Sequence, residues 1–288
     1  MTRGQVVLQQ ARKLARSKDQ PACFAGSTAD YLTRHSLESF LARLMATPYG
    51  DSFILKGGLA VSVYSVRRPT KDIDSVVVDA PLTPEHLRTI VEAIAQTEAD
   101  DGLELDVDSI DIQEIREGAE YPGIRVRVRG LIGSAKVAVA WDVSTGDPIV
   151  PPPRIMTIPR ILGGTIVVLG YPPETIIAEK AVTILERGIT STRWRDYVDI
   201  VQLAENNEID HADLRQAAQT VARHRSVVLV PTAPLVAGYG DIAQAKWAAW
   251  RRKHDLEDIS EELLDDQMAR VATLIDPIFS QVQTSPDE

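Results

Sequence analysis

Two aspartates stand two residues apart in Asp72-Ile73-Asp74, at the entrance to the apolar run Val76-Val77-Val78. On a strand this spacing puts both carboxylates on one face, about 6–7 Å apart along it, with Ile73 directed into the core. Hard oxygen ligands placed this way suit a pair of Mg²⁺ ions whose remaining positions nucleotide phosphates fill. An isolated pair of this kind is equally a solvated strand end. Upstream, Lys56-Gly57-Gly58 closes the run Phe53-Ile54-Leu55 and opens a helical stretch. Two glycines let the backbone turn tightly and approach a ligand, and a helix N-terminus presents N–H donors to phosphate. A double glycine after a strand is also an ordinary turn. What carries information is the combination, a Gly-Gly turn and a paired carboxylate joined by one short helix.

A third carboxylate should come from a neighbouring strand. In KVAVAWDVSTGD, Val137, Val139 and Trp141 alternate with Ala138, Ala140 and Asp142, so Asp142 lies on the face opposite the larger side chains. It is either a metal ligand beside Asp72 and Asp74 or a strand-end cap. Arg68 and Thr70 precede the paired carboxylates. Arg68 is a candidate phosphate contact; Thr70 is a turn residue, or a hydroxyl at the nucleotide mouth near enough to the donor to be modified itself. Arg125, Arg127 and Arg129 alternate with Val126 and Val128, which sets three guanidiniums on one sheet face. They form either a track for RNA phosphates or a solvated face. Trp247, Trp250, Arg251, Arg252 and Lys253 combine rings with charge, as single-stranded ends prefer, yet tryptophans three apart on a helix also suit a bundle core.

These residues need a frame. GQVVLQQARKLARSKD and SLESFLARLMATP read as helices, the second with Ser36 as N-cap and Leu37, Phe40, Leu41 and Leu44 on one face. SFILK, IDSVVVD, LELDVDSIDIQEI, YPGIRVRVRG and SAKVAVAWDV read as strands, and PLTPEHLRTIVEAIAQTE as a helix opened by Thr83 before Pro84. GDPIVPPPRIMTIPR holds five of the 17 prolines and is the expected boundary between domains. After one more strand, GTIVVLG, the remainder reads as mainly helical. The expectation is an α+β fold: N-terminal helices over 1–50, a mixed sheet domain flanked by helices over 51–155, and a mainly helical domain over 156–288.

The Gly-Gly turn, short helix, paired aspartates and third strand carboxylate resemble the polymerase-beta type of nucleotidyltransferase. More closely, LKGG, RRPTKDID, PPETIIAEKAVTILERG and TRWRDYVDI are similar to the AbiEii/MenT family of bacterial toxin nucleotidyltransferases, over about residues 30 to 205. The resemblance implies phosphate binding by Lys56, Gly57 and Gly58, metal binding by Asp72 and Asp74, and active-site roles for Lys180 and Asp196. Asp142 is a looser match. Taken by itself, Lys180 either snorkels from an apolar helix face or offers a point charge to β and γ phosphates. Asp196 either pairs with a neighbouring arginine or orients Lys180 and the nucleotide sugar. The family further implies a nucleoside triphosphate donor, Mg²⁺, a tRNA 3′ end as acceptor with loss of aminoacylation, a C-terminal domain that contributes to the active site, and a cognate antitoxin.

Composition narrows the alternatives. The 288 residues hold 31 Lys and Arg against 41 Asp and Glu, a net charge of −10 that excludes a sequence-blind nucleic-acid coat but not a local basic groove. The single cysteine, Cys23, excludes an intramolecular disulfide framework, and five scattered histidines give no zinc motif. No apolar run reaches the ~18 residues of a membrane span, and the start lacks a secretory signal, so the expected location is cytoplasmic. The rival readings are a transferase acting on a protein hydroxyl or small molecule, and a nucleotide-binding regulator without turnover.

Overall fold

Among the residues described by the computed structural model (1–17, 26–65, 70–115 and 123–280), the strand-forming runs assemble into one seven-stranded mixed sheet. Chain contacts group the protein into two units, Met1–Gly146 with Pro153–Tyr171, and Asp147–Pro152 with Pro172–Glu288.

The first unit begins with α1 (Arg3–Arg16) and α2 (Thr28–Met45), followed by β1 (Phe53–Lys56), α3 (Gly57–Tyr64), β2 (Ile73–Val77) and α4 (Pro84–Gln96). Then come β3 (Leu103–Ile115), β4 (Gly123–Ile132), β5 (Ala135–Ser144), β6 (Arg154–Pro159) and β7 (Thr165–Gly170). The sheet order is β3-β4-β5-β2-β1-β7-β6, with β2–β5 and β1–β7 parallel and the other pairs antiparallel. The expected α+β class is therefore observed, with a mixed sheet flanked by helices and followed by a helical C-terminal part.

Alternation on β5 works as the sequence implies: Val139, Trp141 and Val143 are buried, and Asp142 faces the other way, only partly covered. Trp141 anchors the core beneath the paired aspartates. Its ring meets Phe53 and Phe40 edge-on, at centroid distances of 4.8 and 5.6 Å. Its indole N–H donates to Ser75 Oγ at 2.7 Å, which satisfies the one polar atom of a fully buried ring.

Two elements differ from expectation. Helix α2 starts at Thr28, where Ser27 and Asp30 form a capping box; Ser36 lies inside the helix, its hydroxyl donating to the Thr33 carbonyl at 2.8 Å. Charged residues hid the first half of this helix, because they are buried in pairs. Arg34 Nε donates to Glu38 at 2.6 Å, and in the last turn of the helix Arg43 likewise grips both oxygens of Asp101 at 3.0 and 2.6 Å. Strand β6 falls within the proline-rich segment read as a boundary. It is an edge strand that ends at Pro159, and an edge tolerates residues that donate nothing to a ladder.

The second unit holds α5 (Pro173–Arg187), α6 (Trp194–Asn206), α7 (His211–His224), α8 (Ala233–Val236), α9 (Tyr239–Lys253) and α10 (Leu264–Ser280). Ile177, Val182, Ile200, Val201, Val221, Trp247 and Val271 fill its core. Arg225, just beyond α7, donates to both oxygens of Asp147 at 2.8 and 2.6 Å and so fastens the Asp147–Pro152 segment into this unit.

Candidate active site

Sheet pairing sets the frame of the first-unit cluster. Lys56 on β1 pairs with Asp74 on β2, Asp74 with Asp142 on β5, and Asp142 with Arg125 on β4. Paired residues on adjacent strands point to one face, so these four side chains form a row in which two cations flank two carboxylates. Asp72 sits just before β2. Single carboxylate oxygens of Asp72, Asp74 and Asp142 all lie within 4.8 Å of one another, on partly buried residues. Neighbouring oxygens in the shell of a Mg²⁺ ion stand ~3 Å apart and opposite ones ~4 Å, so the three acids can share one such ion once their side chains draw together.

The Gly-Gly turn touches this cluster directly. Gly57 has φ +64°, and a Cβ there would meet Asp74 Oδ2 at 2.0 Å. Only glycine supplies both the left-handed backbone and the room for that carboxylate. Helix α3 starts at Gly57 with no side-chain cap bond from Lys56, and Gly58 is buried in its first turn. Lys56 Nζ lies 5.9 Å above the Tyr171 ring. Thr70 is buried, and its hydroxyl donates to the backbone and side-chain oxygens of Asp72, each at 3.3 Å, which orients that carboxylate. Arg68 lies outside the described residues.

The three β4 arginines divide. Arg125 turns onto the carboxylates: its Nε and Nη2 donate to the two oxygens of Asp142 at 2.6 and 2.5 Å, and Nη2 stands 3.8 Å from Asp72. The bond to Asp142, with further help from its charge and those of Asp72 and Asp74, raises the guanidinium pKa despite partial burial. Arg127 and Arg129 are exposed farther along the strand; Arg127 reaches Gln113 at 3.4 Å and Arg129 reaches Asp106 at 3.7 Å. Trp247 is fully buried with its N–H on the Glu261 carbonyl, and Arg251 is buried on Ser260 and the Glu257 carbonyl, so these two serve the helical core, whereas Arg252 and Lys253 are exposed.

In the second unit, Lys180 on α5 meets two carboxylates of α6, Asp196 at 2.5 Å and Asp199 at 2.9 Å. Arg193 donates to the other oxygen of Asp196 at 2.6 Å. Burial alone would raise the Asp196 pKa; the charge of Lys180, followed by that of Arg193, outweighs it and holds the carboxyl below its ordinary value. Sequence reasoning missed Asp199. The signal was present, because positions 196 and 199 are three apart and share one helix face.

Comparison with known proteins agrees with this architecture. A search of curated proteins gives no match. Among solved structures, a Helicobacter pylori protein assigned as a nucleotidyltransferase superposes with a TM-score of 0.51 at 15% identity, covering 90% of this chain and 98% of that one. JHP933 from Helicobacter pylori gives 0.50 at 16% identity, covering 88% and 93%. At such identities the likeness is one of fold. Residues 39–282 match the family described as nucleotidyl transferase AbiEii toxin, type IV toxin–antitoxin system, and the match takes in the helices beyond residue 205 that the sequence resemblance left unplaced. With its sheet, its paired aspartates and most of its length accounted for, the chain belongs to the AbiEii family of nucleotidyltransferase toxins.

Proposed function

We propose that this nucleotidyltransferase toxin moves a nucleoside monophosphate from a nucleoside triphosphate to the 3′-hydroxyl of tRNA, with Mg²⁺ held by Asp72, Asp74 and Asp142. The single observation that supports it most is three carboxylates within 4.8 Å of one another against a glycine that admits no side chain. When bound, the divalent metal would neutralise the triphosphate and lower the pKa of the attacking hydroxyl. In the transfer, the 3′-oxygen forms a bond to the α-phosphorus, the α–β bridging bond breaks, pyrophosphate leaves, and the hydroxyl proton passes to water. Lys56 and the amides of the Gly57-Gly58 turn hold phosphate oxygens, and Thr70 keeps Asp72 in place. Lys180 and Asp196 enter the reading through the family resemblance, and the tight ion-paired geometry within their own unit is consistent with a fixed functional pair.

A cognate antitoxin is the partner that the family brings. Among the described residues no helix is long and apolar enough to cross a membrane, and a tRNA acceptor would set the place of action in the cytoplasm. Exposed Arg127 and Arg129 are the proposed RNA contacts, on the cluster's side of β4.

The test is to incubate the protein with total RNA, cell lysate and each triphosphate separately, then sequence RNA 3′ ends. Nucleotides appended to tRNA support the reading; label found only in protein or small molecules would move the acceptor, and nucleotide binding without pyrophosphate release would make the chain a regulator. Asp74→Ala should abolish transfer while leaving the circular dichroism spectrum intact, and it should relieve the growth arrest expected on expression of the wild type.

A further inference from the structure

The carboxylate that completes the cluster already has a cation. Arg125 spans both oxygens of Asp142 in a side-on fork, at 2.6 and 2.5 Å, and the same Nη2 stands 3.8 Å from Asp72. Each Asp142 oxygen therefore already spends one of its lone pairs on a guanidinium, which draws negative charge away from the space among the three acids. A divalent ion among them would face a fixed positive charge a few ångströms away. The backbone of β4 cannot withdraw to relieve this, because Ile124 and Val126 on either side are buried at 5% and 1% exposure. The side chain can withdraw. It is 30% exposed and rides on a flexible stem, and its charge persists at any physiological pH, so protonation chemistry cannot release it.

We propose that Arg125 is a displaceable internal counter-cation: it holds Asp142 while the acids carry no divalent ion, competes with such an ion for that carboxylate, and on release serves the triphosphate. This rests on the proposed metal reading and adds a coupling to it. A guanidinium freed from Asp142 beside bound nucleotide finds phosphate oxygens, for which its planar fork is suited. Cation and nucleotide binding are thereby linked through one side chain, and the bare cation binds weakly on its own.

The experiment titrates Mn²⁺ into the full-length protein without nucleotide, following free ion by electron paramagnetic resonance, in wild type and Arg125→Gln. A second titration follows a non-hydrolysable triphosphate at saturating Mn²⁺. Arg125→Gln should tighten Mn²⁺ by about tenfold, a typical size for changes in residues that contact metal ligands, and weaken the nucleotide by a similar factor. Opposite signs are the signature, because a merely structural arginine would leave both constants unchanged or weaken both. Arg125→Lys, which keeps the charge without the fork, should fall between the two and guards against misfolding of the glutamine variant. Unchanged or weaker Mn²⁺ binding in both variants overturns the proposal. Asp74→Asn separates the two failures: Mn²⁺ binding equal to wild type in that variant sinks the metal reading, whereas lost binding there with no effect at Arg125 sinks only the counter-cation.

Discussion

Gly57 shows how little latitude the cluster allows. A methyl group at this position has to be accommodated in a left-handed conformation and against Asp74 Oδ2 at 2.0 Å. Gly57→Ala should cost about 1–2 kcal/mol of stability from the backbone. It should also reduce transfer by ~100-fold or more by moving a carboxylate. Denaturant midpoints and initial rates measured on the same preparation separate the two effects. Asp196 gives a different kind of test. Its folded pKa lies below the ordinary 3.8, so its contribution to stability is complete above that value and is lost as pH falls through the folded pKa. Asp196→Asn should therefore destabilise by about 3 kcal/mol near neutrality, at the low end for a broken buried pair because Asp199 still holds Lys180. The gap from wild type should narrow below pH 3.8 in urea melts, and a gap independent of pH would refute the assignment.

Helix α2 explains both what the sequence disclosed and what it concealed. Leu37, Phe40, Leu41 and Leu44 recur at helical spacing and are all buried, and Thr83 before Pro84 marked the start of α4 directly. Periodicity misled where charge is buried. Glu38 is 0% exposed, accepting from Arg34 at 2.6 Å and from the Ile161 amide at 2.7 Å, and no pattern of apolar residues announces such a partner 123 positions away. Glu38→Ala should destabilise by about 3–5 kcal/mol, since it leaves Arg34 charged and enclosed, with little change in transfer rate per folded molecule. Equal chemical denaturation curves would show the pair to be dispensable. The cluster was legible for a related reason. Asp72, Asp74 and Asp142 follow strand alternation, which is local, whereas the bond from Arg125 to Asp142 depends on which strands are neighbours, and the sheet order β4-β5-β2 cannot be read from spacing.

A net charge of −10 bears on how the protein would meet RNA. With general repulsion from the bulk of its surface, binding of the proposed tRNA acceptor would have to come from a few local cations, and Arg127 and Arg129 are exposed. The apparent KM for tRNA should rise steeply between 50 and 200 mM salt, and Arg127→Ala should reduce the logarithmic slope by about 1. A salt response unaltered by that substitution would remove this strand from the acceptor contact. The ladder that joins Lys56, Asp74, Asp142 and Arg125 has one more effect. Strand side chains alternate strictly, so a slip by a single position would turn Asp74 inward and push Ile73 or Trp141 out into water. A molecule assembled out of step therefore advertises its fault as greasy surface and becomes prey for proteases and chaperones before it can act as a half-working poison.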